Sequence, residues 1–167
     1  MSATSGERTG FLQGVVNPRF IFTGVPPGAV EEVLGDLSRR LAAAGAVSDA
    51  SDLTRRLLER ERLGCTGLGG GIAIPHCKLK ELDEIVLAVA SSAGGVDFHA
   101  PDGVPVTLIF LILSPAEAPA MHLQALARIS RLVKTPGVAD ALRRAGTPEE
   151  LFATIKEAES SIQAVRA

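Results

Sequence analysis

Two short apolar runs constrain the fold of this chain more than any other feature of the sequence. Ile85–Ala90 and Val106–Leu113 are rich in aliphatic and β-branched residues and lack the regular polar alternation of a half-exposed strand. Runs of this kind are typical of strands that are buried on both faces of a sheet. We therefore expect both segments to be central strands with a covering layer on each side.

Segments with helical periodicity surround these two runs. Apolar residues recur at three- and four-residue spacing from about Ala29 to Ala44, which predicts one buried helix face. The same reasoning predicts a strand at Phe20–Phe22 and further helices at about Ser51–Leu63, Pro119–Lys134, Val138–Ala145 and Pro148–Ala158. Helices interleaved with buried strands indicate an α/β fold, with a central mixed β-sheet flanked by helices on both faces.

The length and organisation of the chain predict a single domain. The 167 residues contain no internal repeat and no linker long enough to separate two units. We place the domain at residues 11–158, between a flexible N-terminal tail at residues 1–10 and a C-terminal tail at residues 159–167.

Charge and hydropathy exclude several classes of function. The formal net charge of −2 gives no field that would hold nucleic acid or an anionic membrane surface. The longest strongly apolar segment, Val104–Leu113, falls far short of the roughly 20 residues that a membrane-spanning helix needs. Two cysteines, Cys65 and Cys77, are too few for a disulfide framework and indicate reduced thiols in a bacterial-type cytoplasm.

His76 follows an unusual stretch of backbone. Gly64–Gly71 holds five glycines in eight positions, which predicts a loop that bends sharply or approaches a ligand closely. Pro75 then fixes the backbone φ directly before the imidazole. Neutral imidazole is nucleophilic near pH 7 and glycine N–H groups can bind an anion, so this stretch suits a histidine that carries phosphate. A turn histidine that is satisfied by local hydrogen bonds is the alternative interpretation.

Other ligand motifs do not fit the glycine-rich stretch. Dinucleotide-binding spacing from Gly67 would place the third glycine at Ile72, and no Lys-Ser or Lys-Thr pair completes a P-loop. A zinc site made from Cys65, His76 and Cys77 would lack the paired, closely spaced ligands that such sites use. We therefore expect no metal, nucleotide or organic cofactor.

Two segments of the chain resemble one known family. Residues 60–76, which read RERLGCTGLGGGIAIPH, resemble the active-site signature of enzyme IIA domains of the fructose and mannitol class of the bacterial sugar phosphotransferase system. This class includes the nitrogen-regulatory IIA proteins. Residues 120–127, AMHLQALA, resemble the family's second-histidine helix, and Phe98 and residues 102–106 also fit. The resemblance runs in order from about Phe11 to Ala158.

The resemblance implies a phosphocarrier with a defined set of site residues. His76 would take the phosphoryl group on its Nε2, and His122 and Arg60 would lie beside it. The phosphate loop would comprise Thr66, Gly67, Gly69 and Gly71. The donor would be the phosphocarrier protein HPr or its nitrogen-branch paralogue, and the downstream partner a IIB domain or a regulated transporter or kinase.

Three positions depart from the usual pattern of that family. Gly70 stands where asparagine is expected, Cys65 where serine is common, and Cys77 where glycine is common. None of the three replaces a residue that carries phosphate. We expect Gly70 to alter hydrogen bonding in the loop, and Cys77 to crowd the docking surface or make it sensitive to oxidation.

The local patterns around His122 and Arg60 are compatible with these roles. His122 falls near a helix start on the apolar face that includes Leu126, where a neutral imidazole is favoured and anions are attracted. Arg60 follows Leu53 and Leu57 at helical spacing, near the end of its helix. A packed histidine and a solvated arginine are the structural alternatives.

Two functions from other classes remain open on the sequence. One is an interaction module that keeps the site but acts only by binding a transporter or kinase. The other is a hydrolase or metal-binding protein that uses His76 and the cysteines, although no motif places a partner carboxylate. The absence of fused IIB and membrane IIC segments within 167 residues favours a regulatory carrier over a sugar-specific one.

Overall fold

The computed structural model describes residues 14–166, whose strands form one seven-stranded sheet. The strands are β1 Val16–Phe22, β2 Gly28–Ala29, β3 Gly67–Gly69, β4 Ile72–Ala73, β5 His76–Leu79, β6 Val86–Asp97 and β7 Val106–Pro115. The helices are α1 Val30–Ala43, α2 Ala50–Leu63, α3 Pro119–Lys134, α4 Val138–Arg144 and α5 Pro148–Arg166. The tail predicted for residues 1–10 lies outside the described residues.

The two predicted central strands form the middle of the sheet. Strands β6 and β7 pair in antiparallel orientation. The outer side of β6 pairs in parallel with β1 and β2, and the outer side of β7 pairs in parallel with β4 and β5. Strand β3 adds to β4 in antiparallel orientation. The sheet is therefore mixed, as predicted.

Strand β7 contributes to two hydrophobic cores, one on each face of the sheet. Alternate side chains of a strand point to opposite faces. Leu108, Phe110 and Ile112 pack with α3, α4 and α5, whereas Ile109, Leu111 and Leu113 pack with α1 and α2. Burying an aliphatic or aromatic side chain of this size contributes about 1.5–3 kcal/mol relative to its exposure. The predicted α/β fold with helices on both faces is confirmed.

Helix α5 continues beyond the predicted end at Ala158 and reaches Arg166. The apolar stripe that begins at Leu151 and Ile155 continues through Ala158 to Ile162, which packs against the same core. The apolar spacing of three or four residues thus continues for about one turn beyond the predicted end of the helix. The domain boundaries at residues 11 and 158 stay predictions.

The glycine-rich segment is not wholly a loop, since it contains the short strand β3. Three consecutive glycines, Gly69, Gly70 and Gly71, turn the chain from β3 to β4 with φ values of 85°, 64° and 79°. These angles lie in the left-handed region that glycine adopts without strain. Asp102 Oδ2 accepts the N–H of Gly70 at 2.8 Å, and Arg143 Nη2 donates to the Gly70 carbonyl. The segment is therefore a turn held from both sides.

We expect Asp49→Ala to destabilise the fold by about 1 kcal/mol, because Asp49 is the N-cap of α2. Its Oδ1 accepts the N–H of Asp52 at 3.0 Å, and alanine would leave that donor without a side-chain acceptor. Urea denaturation measures the loss. Asp49→Asn, which keeps an oxygen at the cap, is the matched control. Equal urea midpoints for the alanine variant and the parent would show that the Asp49 cap does not contribute to the stability of the fold.

Candidate active site

An open pocket of about 790 Å³ brings together the three predicted site residues Arg60, His76 and His122. It lies at strand β5, which pairs only with β7 in the described part of the chain and so leaves its other edge free. Helix α2, on one face of the sheet, supplies Arg60. Helix α3, on the other face, supplies His122. The site therefore straddles the edge of the sheet.

His76 is the first residue of β5. Its Cα lies opposite Ile112 of β7, and the Ile112 N–H donates to the Pro75 carbonyl at 2.9 Å. Pro75 has no N–H to contribute to the ladder, but its carbonyl begins the pairing that fixes the following residues. The imidazole is therefore carried by a hydrogen-bonded strand.

Two hydrogen bonds determine which nitrogen of His76 carries the hydrogen. Nδ1 lies 2.7 Å from the Ile74 carbonyl oxygen, which can only accept, so Nδ1 is the protonated nitrogen. Arg60 Nε lies 3.2 Å from His76 Nε2, and because a guanidinium can only donate, Nε2 must supply a lone pair. The neutral imidazole thus presents an unprotonated Nε2.

Burial keeps His76 in this neutral form. It lowers the pKa of His76 below the ordinary value of histidine because the charged imidazolium loses hydration, and the Arg60 charge acts in the same direction. The hydrogen bond to the Ile74 carbonyl opposes the change by favouring the protonated ring. Nε2 therefore stays unprotonated at neutral pH, as a nucleophile requires, and its lone pair accepts the Arg60 N–H.

His122 lies in the first turn of α3 and is only 6% exposed. Its ring centroid is 5.1 Å from that of His76, with the two rings tilted by 54°. Burial lowers the pKa of His122 to about 4, and the nearby His76, Lys78 and Arg60 add to the effect. A second neutral imidazole therefore stands beside the first.

Arg60 is held at the end of α2 with part of its guanidinium available. Its Nη1 donates to the Gly64 carbonyl at 3.0 Å, while Nε donates to His76. Within residues 14–166, the hydrogen bonds of the Arg60 side chain use Nε and Nη1, and none uses Nη2. Guanidinium groups bind phosphate oxygens through several parallel N–H bonds, so this orientation suits an anion at Nε2 of His76.

Thr66 does not line the pocket, and its donors are already used. Its N–H and its hydroxyl donate to the two carboxylate oxygens of Glu61 at 2.9 and 2.7 Å. Its carbonyl accepts the N–H of Ile74 at 3.0 Å. Thr66 therefore joins the end of α2 to the segment that leads to His76.

The structure does not bring the glycines of the predicted phosphate loop to His76. Ile72, which follows Gly71, lies opposite Leu108 of β7, whereas His76 lies opposite Ile112. Four residues along a strand span roughly 13 Å, so Gly69 and Gly71 lie beyond contact with a group on His76. Gly67 pairs with Ala73 in the β3–β4 ladder. These glycines shape the turn before the site.

Two further residues belong to the site and were not identified from the sequence. Lys78 follows His76 by two positions on β5, so its side chain lies on the same side of the strand and lines the pocket. Ser114 places its Oγ 2.7 Å from Nδ1 of His122. The sequence does contain a signal for Ser114, because a hydroxyl side chain directly after the apolar run of β7 is a candidate buried polar group.

The two cysteines are free thiols. Burial raises the pKa of the Cys77 thiol to about 12, which keeps it protonated and opposes the predicted sensitivity to oxidation. Cys65 Sγ donates to the Phe98 carbonyl at 3.2 Å.

Within residues 14–166, no cluster of three or more histidine, cysteine or acidic side chains has the geometry to hold a metal ion. No helix in that range has the length and apolar character needed to cross a membrane.

We expect the fold to lose stability as the pH falls from about 6.5 toward 4. The unfolded chain binds protons on its histidines near pH 6.5, whereas folded His122 binds one only near pH 4. Below pH 6.5 the unfolded state therefore binds more protons and is favoured, and above about pH 7.5 the effect vanishes. Urea midpoints at pH 7.5 and 5 measure the loss. His122→Gln should reduce it, and an identical loss in both proteins would contradict this assignment.

The chain is similar to proteins of one known family. The profile of the family described as phosphoenolpyruvate-dependent sugar phosphotransferase system, EIIA 2, matches residues 15–158. A nitrogen regulatory protein from Pseudomonas aeruginosa is 36% identical over 149 residues, which cover 89% of this chain and 97% of that protein. A fructose-specific EIIA component from Haloferax volcanii is 36% identical over 132 residues, covering 79% and 86%.

A solved structure has the same fold. The crystal structure of nitrogen regulatory protein IIA-Ntr from Neisseria meningitidis matches with a TM-score of 0.78 and 28% sequence identity, over 85% of this chain and 97% of that one. The sequence profile, the curated relatives and the solved structure all cover the segment that carries Arg60, His76 and His122. This chain therefore belongs to the enzyme IIA type 2 family of the phosphoenolpyruvate-dependent sugar phosphotransferase system.

Proposed function

We propose that this protein carries phosphoryl groups as a covalent phosphohistidine on Nε2 of His76. The observation that carries the proposal is the pair of hydrogen bonds that commit Nδ1–H to the Ile74 carbonyl and leave a lone pair on Nε2. In the transfer, this lone pair forms the new nitrogen–phosphorus bond. The bond from phosphorus to the donor atom breaks, and its electron pair returns to the donor. The Nδ1 hydrogen stays in place throughout.

Arg60 and His122 are proposed to hold the phosphoryl group. The Nε–H of Arg60 occupies the lone pair of Nε2 in the resting site, so Arg60 must turn away before the new bond forms. Its donors then face phosphate oxygens, and each such charge-assisted bond contributes about 1.5–3 kcal/mol. His122 lies on the opposite side of the sheet edge, with its ring close to that of His76.

The phosphoryl donor is proposed to be HPr or its nitrogen-branch paralogue, in the cytoplasm. We assign a regulatory role of the nitrogen type, which is supported by the similarity to nitrogen regulatory proteins over nearly their whole length. The similarity to a fructose-specific EIIA component supports the alternative, in which a IIB domain receives the phosphoryl group.

Phosphorylation would change the surface that a regulated transporter or kinase contacts. Leu63 and Leu123, both on the rim of the pocket, are 84% and 66% exposed. A phosphoryl group adds about −1.5 to −2 charges at pH 7 next to these apolar side chains. A partner that covers the rim would have to desolvate that charge unless it offers arginine or lysine. The unphosphorylated protein is therefore the form that should hold such a target.

Incubation with labelled phosphoenolpyruvate and the general phosphotransferase proteins tests the carrier proposal. A label that is labile in acid and stable in base is the expected result, because phosphohistidine has this behaviour. If no label appears with either HPr or its nitrogen-branch paralogue, the carrier proposal fails and the protein is an interaction module.

Partner capture with phosphorylated and unphosphorylated protein tests the regulatory assignment. We expect the unphosphorylated protein to retain its target and the phosphorylated protein to release it. His76→Asp serves as an imperfect mimic of the added charge. The sugar-specific alternative would be supported by rapid discharge of the label to a sugar-specific IIB domain, together with equal partner capture by the phosphorylated and unphosphorylated protein.

A further inference from the structure

Ser114 is a buried polar side chain near the end of β7, where it pairs with Lys78 of β5. It follows the buried run of β7 and is itself 0% exposed. A buried hydroxyl without a hydrogen bond is costly, so its partner matters. In residues 14–166, the hydrogen-bond partner of the Ser114 side chain is Nδ1 of His122, at 2.7 Å from Oγ.

The direction of this hydrogen bond follows from which donor would otherwise be left unpaired. If Nδ1 carried the hydrogen and donated to Oγ, the Ser114 O–H would have no acceptor within the described residues. If the Ser114 O–H donates to Nδ1, the buried donor is satisfied. A neutral imidazole carries one hydrogen, so it must then lie on Nε2 of His122.

Neutral His122 is the form that the site favours. The charged groups that face it are Arg60 on α2 and Lys78 on β5, with His76 adjacent on the same strand. These groups and the burial of the ring oppose protonation. His122 therefore keeps a single ring hydrogen, and the partner of Nδ1 decides its position.

We propose that Ser114 is a positioning residue that fixes His122 as the Nε2–H tautomer, so that Nε2 can donate to a phosphoryl group on His76. The second half of this statement rests on the proposed function. The two neighbouring imidazoles then have opposite roles. His76 has its hydrogen on Nδ1 and offers a lone pair at Nε2, whereas His122 accepts at Nδ1 and offers a hydrogen at Nε2. One ring receives the phosphorus and the other binds its oxygens.

Nitrogen-15 NMR of the ring nitrogens tests the tautomer without any phosphoryl donor. In the parent protein at pH 7.5 we expect His122 Nε2 to carry the hydrogen and Nδ1 to be unprotonated. Ser114→Ala should produce a mixture of the two tautomers, and Ser114→Thr, which keeps the hydroxyl, should restore the parent spectrum. Ser92→Ala is the matched control, because Ser92 is also buried and its Oγ lacks a hydrogen-bond partner in the described part of the chain.

Rates of phosphoryl transfer test whether the Nε2–H of His122 donates to a phosphoryl group on His76. An Nε2–H tautomer that is populated about half of the time predicts a transfer rate about twofold lower in Ser114→Ala, with His76 still the labelled residue and near-parent rates in Ser114→Thr and Ser92→Ala. A parent His122 with its hydrogen on Nδ1, or an unchanged tautomer in Ser114→Ala, would overturn the proposal. If no variant or parent takes label, the proposed function fails, while the NMR result still decides the role of Ser114 in fixing the tautomer.

Discussion

Replacing His76 by alanine is expected to abolish phosphorylation while the protein still folds. The variant lacks Nε2, which is the only atom that we propose to bond phosphorus. The backbone of β5 stays paired to β7 because the bond from Ile112 N–H to the Pro75 carbonyl does not use the imidazole. Labelling with the phosphoryl donor measures the loss of phosphorylation, and circular dichroism measures whether the variant folds.

The chain offers a matched control for this experiment. It has three histidines, and His99 is exposed and lies outside the pocket. His99→Ala should take label at the parent rate. His122→Ala should take label on His76 more slowly than the parent. Undiminished labelling of His76→Ala would refute the assignment of the phosphorylated residue.

Replacing Arg60 by alanine is expected to slow phosphoryl transfer by roughly 10- to 100-fold for each phosphate bond lost, since a charge-assisted hydrogen bond contributes about 1.5–3 kcal/mol. The substitution also frees the lone pair of His76 Nε2 from the Arg60 Nε–H. This release favours attack, but it does not replace the positive charge that stabilises the transferring group. Rapid-quench measurement of the transfer rate from the donor gives the net effect.

Arg62 supplies the comparison for Arg60. It lines the same pocket two residues further along α2, is exposed and has no hydrogen bond to His76. Arg62→Ala therefore removes a nearby charge without removing the contact, and its rate should stay close to that of the parent. Arg60→Lys keeps the charge but loses the planar set of donors, so we expect an intermediate rate. Equal rates for both alanine variants would show that proximity of charge, and not the Arg60 contact, matters.

The long buried elements could be predicted from the sequence because their side chains repeat with a clear period. Helix α3 has the predicted bounds, and β7 differs from its prediction by two residues at one end. The juxtaposition of Arg60, His76 and His122 was expected only from the family resemblance, because residues 60 and 122 belong to different layers. No local pattern specifies which helix faces meet at one sheet edge.

Short elements and long-range contacts could not be predicted from local sequence patterns. Strand β5 has four residues and includes His76 and Lys78, which do not form an apolar pattern. Its pairing depends on β7, more than 30 residues later along the chain. The glycines indicated a close approach, but the approach is to Arg143 and the carbonyl of Pro105, which a Cβ on Gly71 would meet at 3.0 and 3.2 Å. The contacts that require glycine at this position are therefore with other parts of the fold.

The position of the site across the sheet edge makes the proposed phosphate chemistry depend on both layers of helices. Arg60 depends on the packing of α2 against one core, and His122 depends on the packing of α3 against the other. If α2 or α3 unfolds locally, the chain keeps His76 in place but loses either Arg60 or His122 from the site. On the proposed function such molecules would exchange phosphate slowly, so phosphorylation would select for intact protein.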